Sequence, residues 1–149
     1  MNDARLKGRW YIKLYGADGE LKNDIAGDNV IVDTGKQFLA DFLASAAVAA
    51  STFTMRYIAI GSDNSAEAAS NTALGVETAR VSATVSTATN IYRLIATFGS
   101  GVGTGNIYEY GVFSTATTGA GTMFSRDTEP LITKGANDQL VVTTEVTIS

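Results

Sequence analysis

Gln139-Leu140-Val141-Val142-Thr143-Thr144-Glu145-Val146-Thr147-Ile148 is the stretch that decides the fold class. Leu140, Val142, Thr144, Val146 and Ile148 fall on one side of an extended chain, and Val141, Thr143, Glu145 and Thr147 on the other. That period of two belongs to a strand. Five further runs share its β-branched and aromatic character, at residues 56–60, 80–86, 91–98, 107–113 and 122–126, with Gly-, Ser- and Asn-rich stretches between them. Near the N-terminus Trp10, Ile12 and Leu14 alternate with Tyr11, Lys13 and Tyr15, and Asp18-Gly19 supplies a turn, so residues 8–23 read as a hairpin. Residues 29–32 read as another short strand. Thr34 stands three residues before Gln37, the spacing of a capping box, ahead of Phe38, Leu39, Phe42 and Leu43. This predicts a helix near residues 34–45 lying against the apolar face of the sheet, followed by an Ala-rich frayed end or loop over 45–51. The expectation is a mainly β chain: an antiparallel β-sandwich or barrel with an N-terminal β-hairpin and one α-helix. Residues 1–149 read as a single domain, with 1–24 as a hairpin and attachment segment and 29–149 as the β-rich body. Pro130 is the one proline, and neither a linker nor an internal repeat divides the chain.

Ala, Thr, Ser and Gly fill 66 of 149 positions, a composition suited to strands, tight turns and flat contact surfaces. The chain holds no His and no Cys. That excludes Ser-His and Cys-His nucleophile systems, imidazole or thiolate metal sites, and disulfides, and it leaves the redox compartment open. A net charge of −4 and a pI near 4.7, without a Lys/Arg cluster, argue against a phosphate-binding footprint on nucleic acid. No apolar run reaches the length of a signal peptide or a membrane span, so the expectation is a soluble chain that engages neither nucleic acid nor membrane. Charge is uneven: residues 1–36 carry six basic and six acidic side chains, the remainder five and nine.

Three constellations invite a chemical reading. Gly99-Ser100-Gly101-Val102-Gly103-Thr104-Gly105-Asn106 resembles a phosphate-cradling loop, yet a strand-like run follows it where a helix N-terminus would be needed, and no Lys follows the glycines. A flexible hairpin loop is the expectation. Gly61-Ser62-Asp63-Asn64-Ser65 with Glu67 lacks the acidic ladder and closing Glu of a calcium loop and reads as a turn held by side-chain-to-backbone bonds. Glu77, Glu109, Asp127, Glu129 and Glu145 could in principle supply a carboxylate pair for glycoside hydrolysis, which needs neither His nor Cys. Glu77 lies three residues before Arg80, and the run carrying Glu109 could pair with the one carrying Arg126. Both are expected as structural ion pairs fixing loops to strands. The single Trp10, placed in an alternating strand, gives no sugar-binding platform. Nothing in the sequence calls for a cofactor or a metal, and the chain is expected not to be an enzyme.

The order Asn29-Val30-Ile31-Val32-Asp33-Thr34-Gly35-Lys36, the helical Phe38 to Leu43 run, Tyr57-Ile58-Ala59-Ile60-Gly61-Ser62, and Thr72-Ala73-Leu74 followed by Glu77 and Arg80 resembles small virion proteins of tailed bacteriophages. Ala96-Thr97-Phe98, Ile107 with Glu109 and Gly111-Val112-Phe113, Thr122-Met123-Phe124-Ser125-Arg126, and Ile132 with Lys134 continue the likeness, which spans residues 29–149. The resemblance implies a structural virion part: a capsid decoration (cement) protein that stabilises the head, or alternatively a tail fibre or baseplate component. A carboxylate-based glycan hydrolase is the distant alternative. The absence of a repetitive or coiled-coil shaft favours decoration over fibre. On that reading the protein is assembled in the host cytoplasm and sits on the capsid exterior, with the major capsid protein and two further copies of itself, as a homotrimer, for partners. Arg5, Lys7, Arg9 and Lys13 fall at odd positions of one run, hence on one side of a strand, and are the expected capsid-binding residues.

Overall fold

The computed structural model describes residues 5–44 and 54–149; the Ala-rich 45–51 stretch lies outside them. The C-terminal alternating run is the last strand, Gln139–Ile148, and Leu140, Val142, Thr144 and Val146 are its buried set. It lies between two strands of the same pattern, Leu6–Tyr15 and Ile91–Phe98, pairing Leu14 with Leu140 on one side and Phe98 with Leu140 on the other. In chain order the elements are β1 (Leu6–Tyr15), β2 (Leu21–Ile31), α1 (Asp33–Ala44), β3 (Tyr57–Gly61), β4 (Glu77–Ser82), β5 (Thr84–Ala88), β6 (Ile91–Phe98), β7 (Gly105–Phe113), β8 (Met123–Lys134) and β9 (Gln139–Ile148). The nine described strands form one sheet in the order β4-β3-β7-β8-β2-β1-β9-β6-β5, every neighbouring pair antiparallel.

The two edge strands, β4 and β5, are consecutive in the chain and separated by Ala83 alone, whose amide donates to the Arg56 carbonyl at 2.8 Å. One bent segment thus belongs to both ends of the sheet, and the sheet curls into a nearly closed barrel. Its weakest seam is β2 against β8, paired only through Val30 with Arg126 and Ile31 with Ser125. Trp10, Ile12, Leu94, Phe98, Ile58, Ile107, Val112 and Leu140 fill the interior, with the Trp10 and Tyr110 ring centroids 5.9 Å apart. A smaller cluster of Val32, Ala59, Leu74, Phe113 and Met123 lies on the outer side of β3, β7 and β8. The mainly β barrel with one helix is therefore the fold. Among the described residues no helix is long and apolar enough to cross a membrane.

Several local expectations are corrected. The hairpin extends over β1 and β2, and residues 29–32 are no separate strand, because β2 runs unbroken across the proposed boundary between attachment segment and body. Three of its inward positions, Asn23, Gly27 and Asn29, are small or polar and interrupt Ile25 and Ile31, so no apolar period announces it. Asn29 faces Trp10: its amide oxygen accepts from Trp10 Nε1 at 2.6 Å and Ser125 Oγ at 3.2 Å, while its nitrogen donates to the Gly8 carbonyl at 3.0 Å. The expected strand at 80–86 is two strands folded at Ala83. The strand begun near residue 122 continues to Lys134 through Pro130, where the β7–β8 register shifts and a proline's missing N–H costs no ladder bond. The 99–106 loop is no hairpin, since β6 pairs with β5 and β9 while β7 pairs with β3 and β8.

The helix begins one residue before the expected position, and the capping box does not form. Thr34 Oγ1 donates to the Met123 carbonyl at 2.7 Å, and Gln37 Nε2 reaches forward to Asp41 at 2.8 Å. Gly35 is the helix's single buried residue. It lets α1 approach β8 so closely that a Cβ there would collide with the Phe124 carbonyl oxygen. Phe38 and Leu39 are half-buried while Phe42 and Leu43 face solvent, so the helix covers the barrel end only in part. Gly35→Ala should accordingly lower unfolding stability by about 1 to 3 kcal/mol, read from urea denaturation, since helix propensity alone would have favoured Ala.

Candidate functional site

Pairing of β7 with β8 places Gly111 opposite Arg126 and so sets Glu109, two residues away on the same outer face, within reach of the guanidinium. Arg126 Nε and Nη2 donate to Glu109 Oε2 at 3.1 and 2.9 Å. The side chains are 2% and 0% exposed, so neither charge has bulk water to fall back on. The 62–76 loop satisfies what remains. Gly75 N donates to Glu109 Oε2 at 2.8 Å, and Val76 N and Asp63 N donate to Oε1 at 2.8 and 3.3 Å. Arg126 Nη2 donates to Asp63 Oδ2 at 3.1 Å and the Ser65 carbonyl at 3.2 Å, and Nη1 to Asn71 Oδ1 at 3.1 Å and the Ala66 carbonyl at 3.3 Å. Asp63 is held below the usual carboxylate value by the Ser65 hydroxyl first, and also by the Ser65 amide and the Arg126 charge. The segment that superficially suggested a calcium loop is a strap tied to an arginine.

Glu77 and Arg80 also meet, although three residues along a regular strand would face opposite ways. Between Ile60 and Gly61 the β3–β4 register shifts, pairing Ile60 with Ala79 but Gly61 with Glu77, and the bulge returns both side chains to one face. The contact is bidentate, Nε to Oε1 at 2.7 Å and Nη2 to Oε2 at 2.9 Å. Arg80 Nη1 donates to the Thr115 and Ala120 carbonyls, Gly119 N donates to Glu77 Oε2, and the guanidinium lies 3.8 Å from the centroid of the Phe113 ring. This pair clips the loop between β7 and β8 onto β4.

Two buried groups escaped the sequence reading in this role. Asp127 and Tyr110 are register partners pointing into the barrel, and Asp127 Oδ2 and the Tyr110 hydroxyl each lack a partner among the described residues. The Asp127 carboxyl is pushed up to about 8, chiefly by burial and then by the charge and hydrogen bond of Glu129 and the charge of Glu67. Glu129 in turn stands over Gly27, where a Cβ would collide with its carboxylate. The signal was an Asp-x-Glu spacing on a strand, which puts both acids on one face, but nothing in the sequence marked that face as inward. Lys134 is 1% exposed and donates to the Gly99 carbonyl at 2.8 Å; burial lowers its ionisation, with Asp138 opposing. The glycine loop that lacks a following Lys thus receives one from β8.

The four basic residues of the N-terminal run are placed as follows. Arg5 precedes β1, with its backbone paired to Ser149. Lys7, Arg9 and Lys13 lie on the outer face of β1, Arg9 and Lys13 beside acids of its neighbours and Lys7 opposite Thr147. Arg9 Nη1 bonds Asp28 at 2.8 Å, Lys13 lies opposite Asp24, and Glu145 on β9 is engaged by Arg93 at 2.7 Å. Glu77, Glu109 and Glu145 therefore all sit on arginines. Asp127 and Glu129 lie two residues apart on β8, and Glu129 helps to raise the Asp127 carboxyl. Among the described residues no group of His, Cys, Asp or Glu is arranged to hold a metal ion. Comparison of the chain with family models, with curated proteins and with solved structures gives no match.

Glu109→Gln leaves the buried Arg126 with only the more exposed Asp63 as a counter-charge and should cost about 3 to 5 kcal/mol in denaturant unfolding, with faster proteolysis within residues 62–76. Adding Arg126→Met should restore much of the global stability but not the protection of the loop. A second expectation concerns pH. A carboxyl raised from 3.8 to about 8 keeps in the folded chain a proton that the unfolded chain releases, so stability falls as pH rises through that window. Urea midpoints at about pH 5 and pH 8 should show the loss, and Asp127→Asn should remove this contribution to the slope.

Proposed function

We propose that the chain is a structural protein of a tailed-phage virion, a head decoration protein that binds the outer surface of the major capsid protein lattice and stabilises it. The carrying observation is the outer face of β2, β1, β9 and β6. It is an antiparallel stretch of the barrel wall on which Lys7, Arg9 and Lys13 run along one strand, with Asp24 and Asp28 on the neighbour to one side and Glu145, bound by Arg93, to the other. Interleaved rim charges of this kind set orientation and speed of docking more than affinity. The Arg9–Asp28 pair does not spoil the face for binding: both side chains are largely in water, where such a pair contributes little and exchanges readily for a partner's carboxylate. The clipped loops at 62–76 and 114–122 support the same reading, since a part added to a shell loses less entropy when its loops are already ordered. In this reading the buried carboxylates are structural and the protein is not an enzyme. Small-residue surfaces close three copies into a ring.

Lys7→Glu combined with Lys13→Glu should weaken attachment to undecorated capsids about tenfold or more at low salt, with thermal unfolding and trimer unchanged. Unaltered attachment would refute the assignment of this face. Quantitative mass analysis of virions should find hundreds of copies; tens would move the protein to the tail fibre or baseplate.

A further inference from the structure

A cavity of about 400 Å³ lies under α1, at the barrel end where β1 begins and β9 finishes. Its walls are almost wholly apolar: Phe38, Leu39 and Phe42 of the helix on one side, Met55, Phe124 and Val146 on the other. Four polar side chains interrupt them, Thr54, Thr87, Tyr92 and Arg56, and the last two bear on what the space could hold. The Tyr92 hydroxyl is buried there without a hydrogen-bond partner among the described residues, a condition that is costly to maintain. Arg56 borders the same cavity, exposed to solvent, and no described carboxylate pairs with its guanidinium. Arg56 and Tyr92 thus both line this one space. A largely apolar space bordered by a cation with no described carboxylate partner, and with an unpartnered hydroxyl in its wall, matches a ligand that has an alkyl chain and an anionic head.

We propose that this cavity binds a single-chain fatty carboxylate, the alkyl chain running between α1 and Phe124 and the carboxylate resting on Arg56 and the Tyr92 hydroxyl. The volume is within the roughly 300–1,000 Å³ of small-molecule sites. The charge complementarity singles out this ligand from an uncharged apolar one, for which Arg56 would be irrelevant. The inference does not depend on the virion reading.

The test is calorimetric titration of the full chain with dodecanoate below its micellar concentration, beside dodecanol as the uncharged probe of equal length. Saturable one-to-one binding of dodecanoate is expected, weaker for octanoate. Arg56→Gln should weaken dodecanoate about tenfold and leave dodecanol unchanged. Tyr92→Phe should weaken dodecanoate without lowering thermal stability, because it removes a buried hydroxyl that has no partner. Absence of saturable binding, or equal affinity for both probes with Arg56→Gln silent, overturns the proposal. So does concentration-dependent self-association that dodecanoate fails to compete with, which would make a second copy the occupant.

Discussion

The ion pair between Glu109 and Arg126 is the constraint on which the outer half of the structure depends. A carboxylate and a guanidinium stripped of water persist only when nearly every lone pair and N–H finds a partner. Here those partners are main-chain groups: the amides of Asp63, Gly75 and Val76 and the carbonyls of Ser65 and Ala66. The pair therefore dictates the path of residues 62–76, a stretch with little apolar bulk of its own beyond the buried Leu74. It also fixes register. A one-residue slip of β8 along β7 would send Arg126 into the interior beside Tyr110, where no acceptor replaces Glu109. Such a pair adds little net stability compared with a well-packed apolar substitute; what it contributes is the choice of one register and one loop path.

Arg126 and Asp127 show how sharply the pleat separates environments. Adjacent on β8, they face opposite sides of the sheet: the arginine is neutralised by two carboxylates and a set of carbonyls, whereas the aspartate meets a phenol and the charges of Glu129 and Glu67, and no cation pairs with it among the described residues. One strand thereby holds a fully charged group next to one that keeps its proton near neutrality. The difference arises from the pairing of β7 with β8 and from nothing local to the two residues.

What was legible in the sequence follows from the same geometry. β1, β6 and β9 alternate cleanly because one face is packed and the other wet, and their bounds could be read almost to the residue. β2 concealed itself, since three of its inward positions, Asn23, Gly27 and Asn29, are small or polar, Gly27 and Asn29 to accommodate Glu129 and Trp10. β8 is buried on both faces from Met123 to Asp127, one side in the interior and the other in the outer cluster, so alternation is lost where the strand matters most. The corner at Ala83 has no signature, because an alanine bends or continues a strand equally well. The ion-pair partners could be named from the spacing of charged residues within strand-like runs. The loops they tie could not, because the tying groups are backbone atoms, identical at every position.

The two ends of the barrel are closed by different physics, and this asymmetry bears on access. At the end where β1 finishes and β9 begins, Lys134 donates to the Gly99 carbonyl, and Asp138 accepts from Gly135 N and from Lys22 Nζ. Those bonds hold the 99–104 and 135–138 turns over Leu14, Phe98 and Leu140, and parting them would expose a buried ammonium without an acceptor. At the other end α1 rests on β8 through Gly35 alone as a buried contact, with half-buried Phe38 and Leu39 spanning a space they do not fill. Dispersion contacts across such a gap are forgone, and the helix's bonds to the rest of the fold, from Thr34 Oγ1 to the Met123 carbonyl and from Asp33 N to the Ala69 carbonyl, lie in its first turn, away from Phe38 and Leu39. The end beneath the helix is therefore the less firmly closed of the two, whereas the opposite end is held shut by charge.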